Sequence, residues 1–250
     1  MDIKTPINHT SKEPEQALDS FLTWAREAAN RFPKLLVCVC IIHGVKVERS
    51  NLQIEALKRT VTEDVRSKFN LKQLKDDPIV RVYRDLFWAL GIDPTKTRPS
   101  GEALLRRVLH GHEIPRISSV VDAYNLTSVK TIIPLSGFDL DQISPPLTLR
   151  FSHEGEEFHG IEINKPITVA DKMLVVADTK RIVCIYPHRD ADATKITEKT
   201  MNVAVISYGA PQISHDQLLD TVKTALDFIK QTSGGTIGTV SAFKPVQTLY

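Results

Sequence analysis

The stretch that decides the fold is SSVVDAYNLTSVKTIIPLSGFDLDQI, Ser118 to Ile143. Its second half, PLSGFDLD, allows three interpretations. Ser136 before Gly137 suggests a nucleophile on a tight turn, whereas Asp139 and Asp141 suggest metal ligands or paired acid–base carboxylates. The third interpretation is a loop that the aspartates cap between two apolar segments. The rest of the chain bears on this choice.

Neither a hydrolase nucleophile nor a metal site is well supported by the motifs. Ser136 lacks the G-x-S-x-G frame of a nucleophile elbow. His110 and His112 flank a glycine, but no further ligand stands at the spacing that zinc requires. The glycine-rich SGGTIG at 233–238 lacks the lysine of a phosphate-binding loop. We therefore expect no metal and no cofactor.

The composition is that of an ordinary globular protein: 250 residues, 42% hydrophobic, 25% charged and a formal net charge of +2. A pI near 8.4 permits contact with a polyanion without requiring it. The longest apolar run, LLVCVCII at 35–42, is too short to cross a bilayer. The first ten residues lack the apolar core of a secretory signal. We expect a cytoplasmic protein with reduced cysteines and no membrane contact.

Helices are predicted mainly in the first half of the chain. Apolar residues recur at three- and four-residue spacing in the segments 11–31, 51–69, 78–91 and 98–111. In the last of these, Pro99 suits a helix start and Gly111 a helix end. The run 35–42 has the pattern of a strand buried on both faces.

Strands are predicted mainly in the second half. Five short segments rich in β-branched residues begin at Leu147, Glu157, Met173, Arg181 and Asn202. Ser214 and Gln217 form a capping box that begins a C-terminal helix, and residues 231–243 predict a loop and a last edge strand. The pattern predicts an α+β (mixed α/β) fold in a single compact domain, residues 34–250, with a helical N-terminal extension, residues 1–33.

Five motifs in order resemble the editing domain, called B-three/B-four, of the phenylalanyl-tRNA synthetase beta subunit. They are an Asp-x-x-Asn helix from Asp122, the segment from Pro134 to Asp141, a Gly-Glu turn at Gly155, an Ala-Asp strand end at Ala177 and a Thr-x-x-Thr stretch. The agreement spans roughly residues 90–207. RPSGEALLRR at 98–107 and YPHRDADATKIT at 186–197 are more similar to free-standing relatives of that domain.

The resemblance implies a link to tRNA. In the synthetase, this domain hydrolyses the ester of tyrosine wrongly attached to phenylalanine tRNA, by attack of a positioned water. No segment resembles the aminoacylation core or the anticodon-binding parts, so the chain is not expected to charge tRNA.

Two positions and one segment depart from the family pattern. Ser136 stands where the synthetase pocket has a histidine, and Ile206 where it has the glutamate that recognises the tyrosine hydroxyl. The segment 188–193 replaces a glycine-rich loop. Without that carboxylate the hydrogen-bond selection of tyrosine is lost, so tyrosine editing does not carry over.

The predicted pocket combines Ser136 and part of the segment 188–193 with further residues, most of them polar. Arg189 would hold a carboxylate or an RNA phosphate, and Asp190 would hold an ammonium group. Asp122 and Asn125 would either serve the pocket or cap and brace their helix. No catalytic residue is assigned, and the predicted pocket consists of Arg98, Ser100, Asn125, Ser136, Gly137, Arg189, Asp190 and Thr194.

Two functions follow as hypotheses. The first is a stand-alone module that binds tRNA or aminoacyl-tRNA and hydrolyses a mischarged ester in trans. The second is a non-enzymatic protein that binds a free amino acid or similar zwitterion in the same pocket. A protein-interaction role with a vestigial pocket is a third possibility.

Overall fold

The computed structural model describes residues 20–245. Its α-helices are α1 (Arg26–Arg31), α2 (Leu52–Lys68), α3 (Pro78–Ala89), α4 (Ser100–Leu109), α5 (Ser119–Thr131) and α6 (His215–Ser233). Its strands are β1 (Leu22–Trp24), β2 (Val37–His43), β3 (Leu135–Asp139), β4 (Leu147–Phe151), β5 (Glu157–Phe158), β6 (Ile167–Thr168), β7 (Leu174–Ala177), β8 (Ile182–Ile185), β9 (Arg189–Asp190), β10 (Asn202–Tyr208) and β11 (Thr236–Phe243). Short 3-10 turns span Leu74–Asp76, Leu140–Gln142 and Asp192–Thr194.

One sheet has four antiparallel strands in the order β11-β2-β10-β3. Its inner strand β2 is buried from Val37 to Ile42, which confirms the predicted strand buried on both faces. The helices α5 and α6 pack against the sheet. Strand β3 is an edge strand, so one side of its backbone faces away from the ladder.

A second sheet has five strands in the order β1-β4-β7-β8-β9, and β5 and β6 form a small hairpin sheet. The two larger sheets meet at their aromatic and polar side chains. The rings of Tyr186 and Tyr208 are 4.8 Å apart in an edge-on contact, and Ser136 of β3 is hydrogen-bonded to Asp190 of β9. This meeting line positions the candidate site.

The α+β prediction is confirmed. Helices α2 to α5 precede the strands β4 to β11, and α6 is the C-terminal helix with the predicted capping box at Ser214 and Gln217. Residues of both sheets and of all the longer helices share one hydrophobic core. The three cysteines are free and buried. No helix within residues 20–245 is long and apolar enough to cross a membrane.

Within the described residues, the helix predicted for residues 11–31 is confirmed only from Arg26 to Arg31 and is wrong for residues 20–25. Residues 11–19 lie outside the described range, but Leu22–Trp24 form β1, parallel to β4, and the helix begins only at Arg26. Leu22 lies opposite Leu147. A pairing across more than 120 residues overrides the helical spacing of the local apolar residues. The boundary at residue 33 remains a prediction.

The stretch PLSGFDLD forms an edge strand followed by a turn, not a loop. Phe138 is fully buried, and the Asp139 carboxylate accepts hydrogen bonds from the backbone N–H of Asp141 and the hydroxyl of Thr200, the latter at 2.6 Å. The aspartate therefore braces the turn, as the loop-capping interpretation expected. The tail differs slightly from prediction, since α6 continues to Ser233 before β11 begins.

Candidate functional site

A cavity of about 280 Å³ lies beside β3. Its apolar walls come from α5, the start of β3 and the segments around residues 161 and 196. Its polar side chains come mainly from the β8–β9 hairpin and from β3. The lining residues are Ser100, Ile117, Val121, Tyr124, Asn125, Leu135, Ser136, Gly137, Ile161, Glu162, Pro187, His188, Arg189, Asp190, Lys195 and Ile196. Mixed apolar walls with a few convergent polar groups are typical of small-molecule sites.

The central contact of the cavity joins Ser136 and Asp190. The Ser136 hydroxyl donates to the Asp190 carboxylate across 2.6 Å, a short charge-assisted hydrogen bond. Burial raises the pKa of Asp190 to about 6, although hydrogen bonds from Ser136 and Cys184 oppose this rise. The residue as a whole is half-buried, so its carboxylate borders the cavity while being poorly hydrated. At neutral pH Asp190 is mostly ionised, and a cationic partner would stabilise this charged form.

Gly137 is required by the ring of Tyr124. A Cβ atom on Gly137 would lie 2.5 Å from Cε1 of Tyr124 and 2.9 Å from Cδ1 of Ile196. Burial, and then the charge of Asp190, raises the pKa of the Tyr124 hydroxyl well above its ordinary value. Tyr124 therefore forms a neutral wall that packs directly on the strand.

The β8–β9 hairpin supplies the cationic side of the cavity. Arg189 lies opposite Ile185 and is exposed, and its side chain crosses Gly160, where a Cβ would lie 2.9 Å from Cδ of Arg189. His188 is half-buried, and burial together with the Arg189 charge lowers its pKa. His188 is therefore neutral at pH 7, and Arg189 carries the positive charge of this hairpin.

Six of the eight predicted pocket residues line the cavity. They are Ser100, Asn125, Ser136, Gly137, Arg189 and Asp190. Arg98 and Thr194 are not among the lining residues. Thr194 is fully buried beneath the polar loop, and Arg98 lines a separate depression together with Arg106 and His110.

Glu102 explains the placement of the arginines in RPSGEALLRR. This glutamate is buried, accepts two hydrogen bonds from Arg84 and one from Arg106, and lies 3.9 Å from Nε of Arg98. The motif anchors α4 rather than presenting all its arginines to a ligand. Burial alone would raise the Glu102 pKa, but the arginine hydrogen bonds outweigh it and the pKa is lowered.

The two helix residues left open by the sequence have different surroundings. Asp122 braces α5, because it accepts the backbone N–H of Ile117 at 2.9 Å and forms an ion pair with Lys58 at 2.6 Å. Asn125 lines the cavity, and its side chain has no hydrogen-bond partner within residues 20–245. A polar group in this position is available to a ligand.

Ser136 and Ile206, which depart from the family pattern, are neighbours. They lie directly opposite each other in the β3–β10 ladder, so their side chains share one face of the sheet. Ser136 reaches the cavity, whereas Ile206 is fully buried and is not a lining residue. The floor at this point is apolar, with Ser136 as the polar contact.

Sequence reasoning missed several lining residues. Tyr124 directly precedes Asn125 in the Asp-x-x-Asn helix, so its position beside a predicted pocket residue could have indicated that it lines the cavity. Glu162 and Ile161 come from a loop that is anchored to β9 by the Ile161 N–H bond to the Asp190 carbonyl, at 3.0 Å. No local sequence pattern predicts this contact, because its two residues lie far apart in the chain.

The family model described as "B3/4 domain" matches residues 82–224, more than half of the chain. The phenylalanine–tRNA ligase beta subunit of Neisseria meningitidis serogroup B is 26% identical over 123 residues, which cover 49% of this chain and 16% of that protein. The corresponding subunit of Xanthomonas oryzae pv. oryzae is 29% identical over 113 residues, which cover 45% of this chain and 14% of that protein.

A solved N-terminal fragment of the phenylalanyl-tRNA synthetase beta subunit from Pyrococcus horikoshii aligns with a TM-score of 0.46 and 13% identity. The alignment covers 86% of this chain and 49% of that one. The two curated relatives are matched over only 14% to 16% of their own length. From the family match, the chain belongs to the B3/4 domain family.

Proposed function

We propose that this chain binds aminoacyl-tRNA and hydrolyses its ester bond, with the aminoacyl group in the cavity beside β3. The observation that carries the proposal is the Asp190 carboxylate, poorly hydrated and bonded to Ser136, at a cavity of about 280 Å³ in a member of the B3/4 domain family. An aminoacyl ester carries a free α-ammonium group, and the poorly hydrated carboxylate of Asp190 would be stabilised by binding it.

The proposed reaction needs only water as co-substrate. The water oxygen attacks the ester carbonyl carbon, the bond to the ribose oxygen breaks, and that oxygen leaves with a proton as a hydroxyl group. Asp190 and Ser136 hold the aminoacyl group, and Asn125 borders the same space. The gain in rate comes from holding the ester in one orientation.

The cavity walls set the class of aminoacyl group. Tyr124, Val121 and Ile196 offer apolar contact, and the buried Ile206 leaves no acceptor for a phenolic hydroxyl at its position. The proposed substrate therefore carries an apolar side chain small enough for the cavity, not tyrosine.

The test is release of amino acid from a panel of mischarged tRNAs. The expected result is release by the wild-type chain well above the buffer rate, and a loss of about tenfold or more in Asp190→Asn, since one charged hydrogen-bonded contact contributes about 1.5–3 kcal/mol. Asp171→Asn, at an exposed turn, is the matched control and should keep full activity. Intact esters across the panel, with protein in excess, would sink the enzymatic proposal.

One observation favours a second function, the binding of a free amino acid. Asp190 and Arg189 offer opposite charges at the same cavity, and a free amino acid has both an ammonium and a carboxylate to match them. Calorimetry with the twenty amino acids tests this function. Binding that Arg189→Ala abolishes, in a chain that leaves every ester intact, would establish it in place of hydrolysis.

A further inference from the structure

A basic surface lies outside the cavity, on α2, α4 and the segment 110–116. It contains two depressions, of about 410 and 390 Å³, that share His112. We call this the α2–α4 surface. Its first depression is lined by four cationic side chains, Lys58, Arg59, Arg66 and Arg116.

The positive charge of this surface is a local excess. The second depression adds Arg98, Arg106 and Arg107, so seven cationic side chains line the surface with the carboxylates of Glu55 and Glu113. Even with the buried Asp122 and Glu102, which pair with Lys58 and Arg106, the cations outnumber the carboxylates by seven to four. The whole chain carries a formal net charge of only +2. Such concentration on one face is the electrostatic footprint of a polyanion-binding surface.

Some of these cations hold the fold and others are available. Lys58 pairs with Asp122, Arg106 with Glu102, and Arg116 with Glu55. By contrast, Arg59 and Arg107 are exposed and form no ion pair among residues 20–245, and Arg107 donates a hydrogen bond to the backbone carbonyl of Glu113. Arginines fixed on helices and not neutralised by carboxylates are suited to phosphate groups.

The chemistry of the surface favours RNA over a protein partner. The only large apolar side chain lining either depression is Ile114, which is buried. Protein interfaces have an apolar, often aromatic centre, whereas surfaces that bind nucleic acid are polar and strongly positive.

The α2–α4 surface reaches the rim of the cavity at two places. Arg116 is followed directly by Ile117, which lines the cavity, and Arg98 stands two residues before Ser100, which also lines it. An RNA whose end enters the cavity therefore has its adjoining backbone next to these arginines.

We infer that the α2–α4 surface binds the sugar–phosphate backbone of the tRNA whose aminoacylated end occupies the cavity. The inference rests on the proposed function for the choice of RNA. Each phosphate contact should contribute to the salt dependence of binding, because it releases counterions.

The experiment measures binding of a tRNA that lacks its 3′-terminal CCA, so that the cavity is not involved. Fluorescence anisotropy is recorded between 50 and 200 mM salt for wild type, Arg59→Ala/Arg107→Ala and the matched control Lys223→Ala/Lys230→Ala, at exposed positions of α6. We expect the arginine variant to bind at least about tenfold more weakly and to lower the salt slope by about two. The control should match wild type.

Equal affinity and slope in the arginine variant and wild type would overturn the inference. Asp190→Asn should bind the truncated tRNA like wild type, because its side chain belongs to the cavity. If the wild type leaves all esters intact but the arginine variant still loses tRNA binding, the result supports the α2–α4 surface as an RNA-binding surface and refutes the hydrolytic function. If esters are hydrolysed while the arginine variant binds normally, the function stands and the surface fails.

Discussion

In Asp190 the proposed function and the stability of the fold make opposite demands. Its pKa in the folded chain is about 6, above the ordinary 3.8, because burial disfavours the charged form. A raised carboxyl pKa means that its contribution to stability is complete below about pH 4 and is lost as pH rises through 6. A carboxylate held at this cost at neutral pH is better explained by a ligand than by folding.

The first prediction is that Asp190→Asn stabilises the unliganded protein at pH 7.5. The difference in unfolding free energy between variant and wild type should grow by about 2 kcal/mol between pH 4 and pH 7.5, since each pKa unit corresponds to about 1.4 kcal/mol. Urea denaturation at both pH values measures it, with Asp171→Asn as the control at an exposed carboxylate. A stability difference that does not grow between pH 4 and pH 7.5 would contradict the raised pKa of Asp190.

The second prediction concerns the pH dependence of ligand binding. A ligand held by its ammonium group needs Asp190 ionised, and the carboxyl is mostly ionised above pH 7 and mostly neutral at pH 5. We expect an apolar aminoacyl ester analogue with a free amine to bind about tenfold more weakly at pH 5 than at pH 7.5. Calorimetry at the two pH values checks this, and an analogue without the amine should show no such change.

The third prediction concerns Gly137, whose missing Cβ makes room for Tyr124. In Gly137→Ala the new methyl group would overlap the buried Tyr124 ring, which would have to move. The unfolding free energy should therefore fall by about 1–3 kcal/mol, and ligand binding should be lost because the cavity wall is displaced. In the double variant with Tyr124→Leu, which lacks the clashing ring atoms, part of that stability should return. A single variant as stable as wild type in urea would refute the packing argument.

At the residue scale, the sequence indicated much of the site but not its geometry. Ser136 and Asp190 were both predicted pocket residues, yet their hydrogen bond joins two sheets across 54 positions of sequence. Arg98 was placed in the pocket because an arginine before a helix suits an anion. The buried Glu102, four residues on, offers a nearer partner. The sequence shows which side chains are charged, whereas the tertiary fold determines which groups they pair with.

At the scale of elements, α4 is fixed by one buried carboxylate. Glu102 joins α4 to Arg84 of α3, and neutralising it leaves Arg84 and Arg106 without their anion. Because these arginines keep some exposure to water, the fourth prediction is a loss of about 2 kcal/mol in Glu102→Gln rather than the larger cost of a fully buried unpaired charge. Denaturation at pH 7 measures it, with Glu63→Gln on the exposed side of α2 as control.

The pH dependence supplies a further check on Glu102. Its pKa is lowered, so its contribution to stability is present above the ordinary pKa of 4.5 and is lost as pH falls through the folded value. The deficit of Glu102→Gln should therefore shrink on acidification. A deficit that is the same at low and neutral pH would show that packing, not charge, holds the helix.

Elements with local signals were predicted and those with distant partners were not. The capping box of α6 and the β-branched runs of β4, β7, β8 and β10 are local features, and all were confirmed. Strand β1 was predicted as helix because its pairing partner is β4, far along the chain. For the stretch that contains strand β3, a capped loop was one of three interpretations and a strand was not among them; the glycine in this strand makes room for Tyr124.

At the scale of the whole molecule, the site depends on two sheets meeting. Ser136 comes from the four-stranded sheet and Asp190 from the five-stranded sheet, and the cavity lies at their junction. Any change that shifts one sheet against the other alters this contact. The geometry of the candidate site therefore depends on elements far from the cavity, including the segment that contains β1.

The final prediction uses that segment to test the proposed boundary at residue 33. Phe21, Leu22, Ala28 and Phe32 belong to the shared core, and β1 covers the outer edge of β4. Burying each large apolar side chain contributes about 1.5–3 kcal/mol, so a chain that begins at residue 34 should lose about 5 kcal/mol, comparable to the whole stability of many domains. A chain that begins at residue 20 keeps all of these contacts and is the matched control. Thermal and urea denaturation of both chains decide the matter: equal stability would mean that residues 34–250 form the domain by themselves, as the boundary predicts.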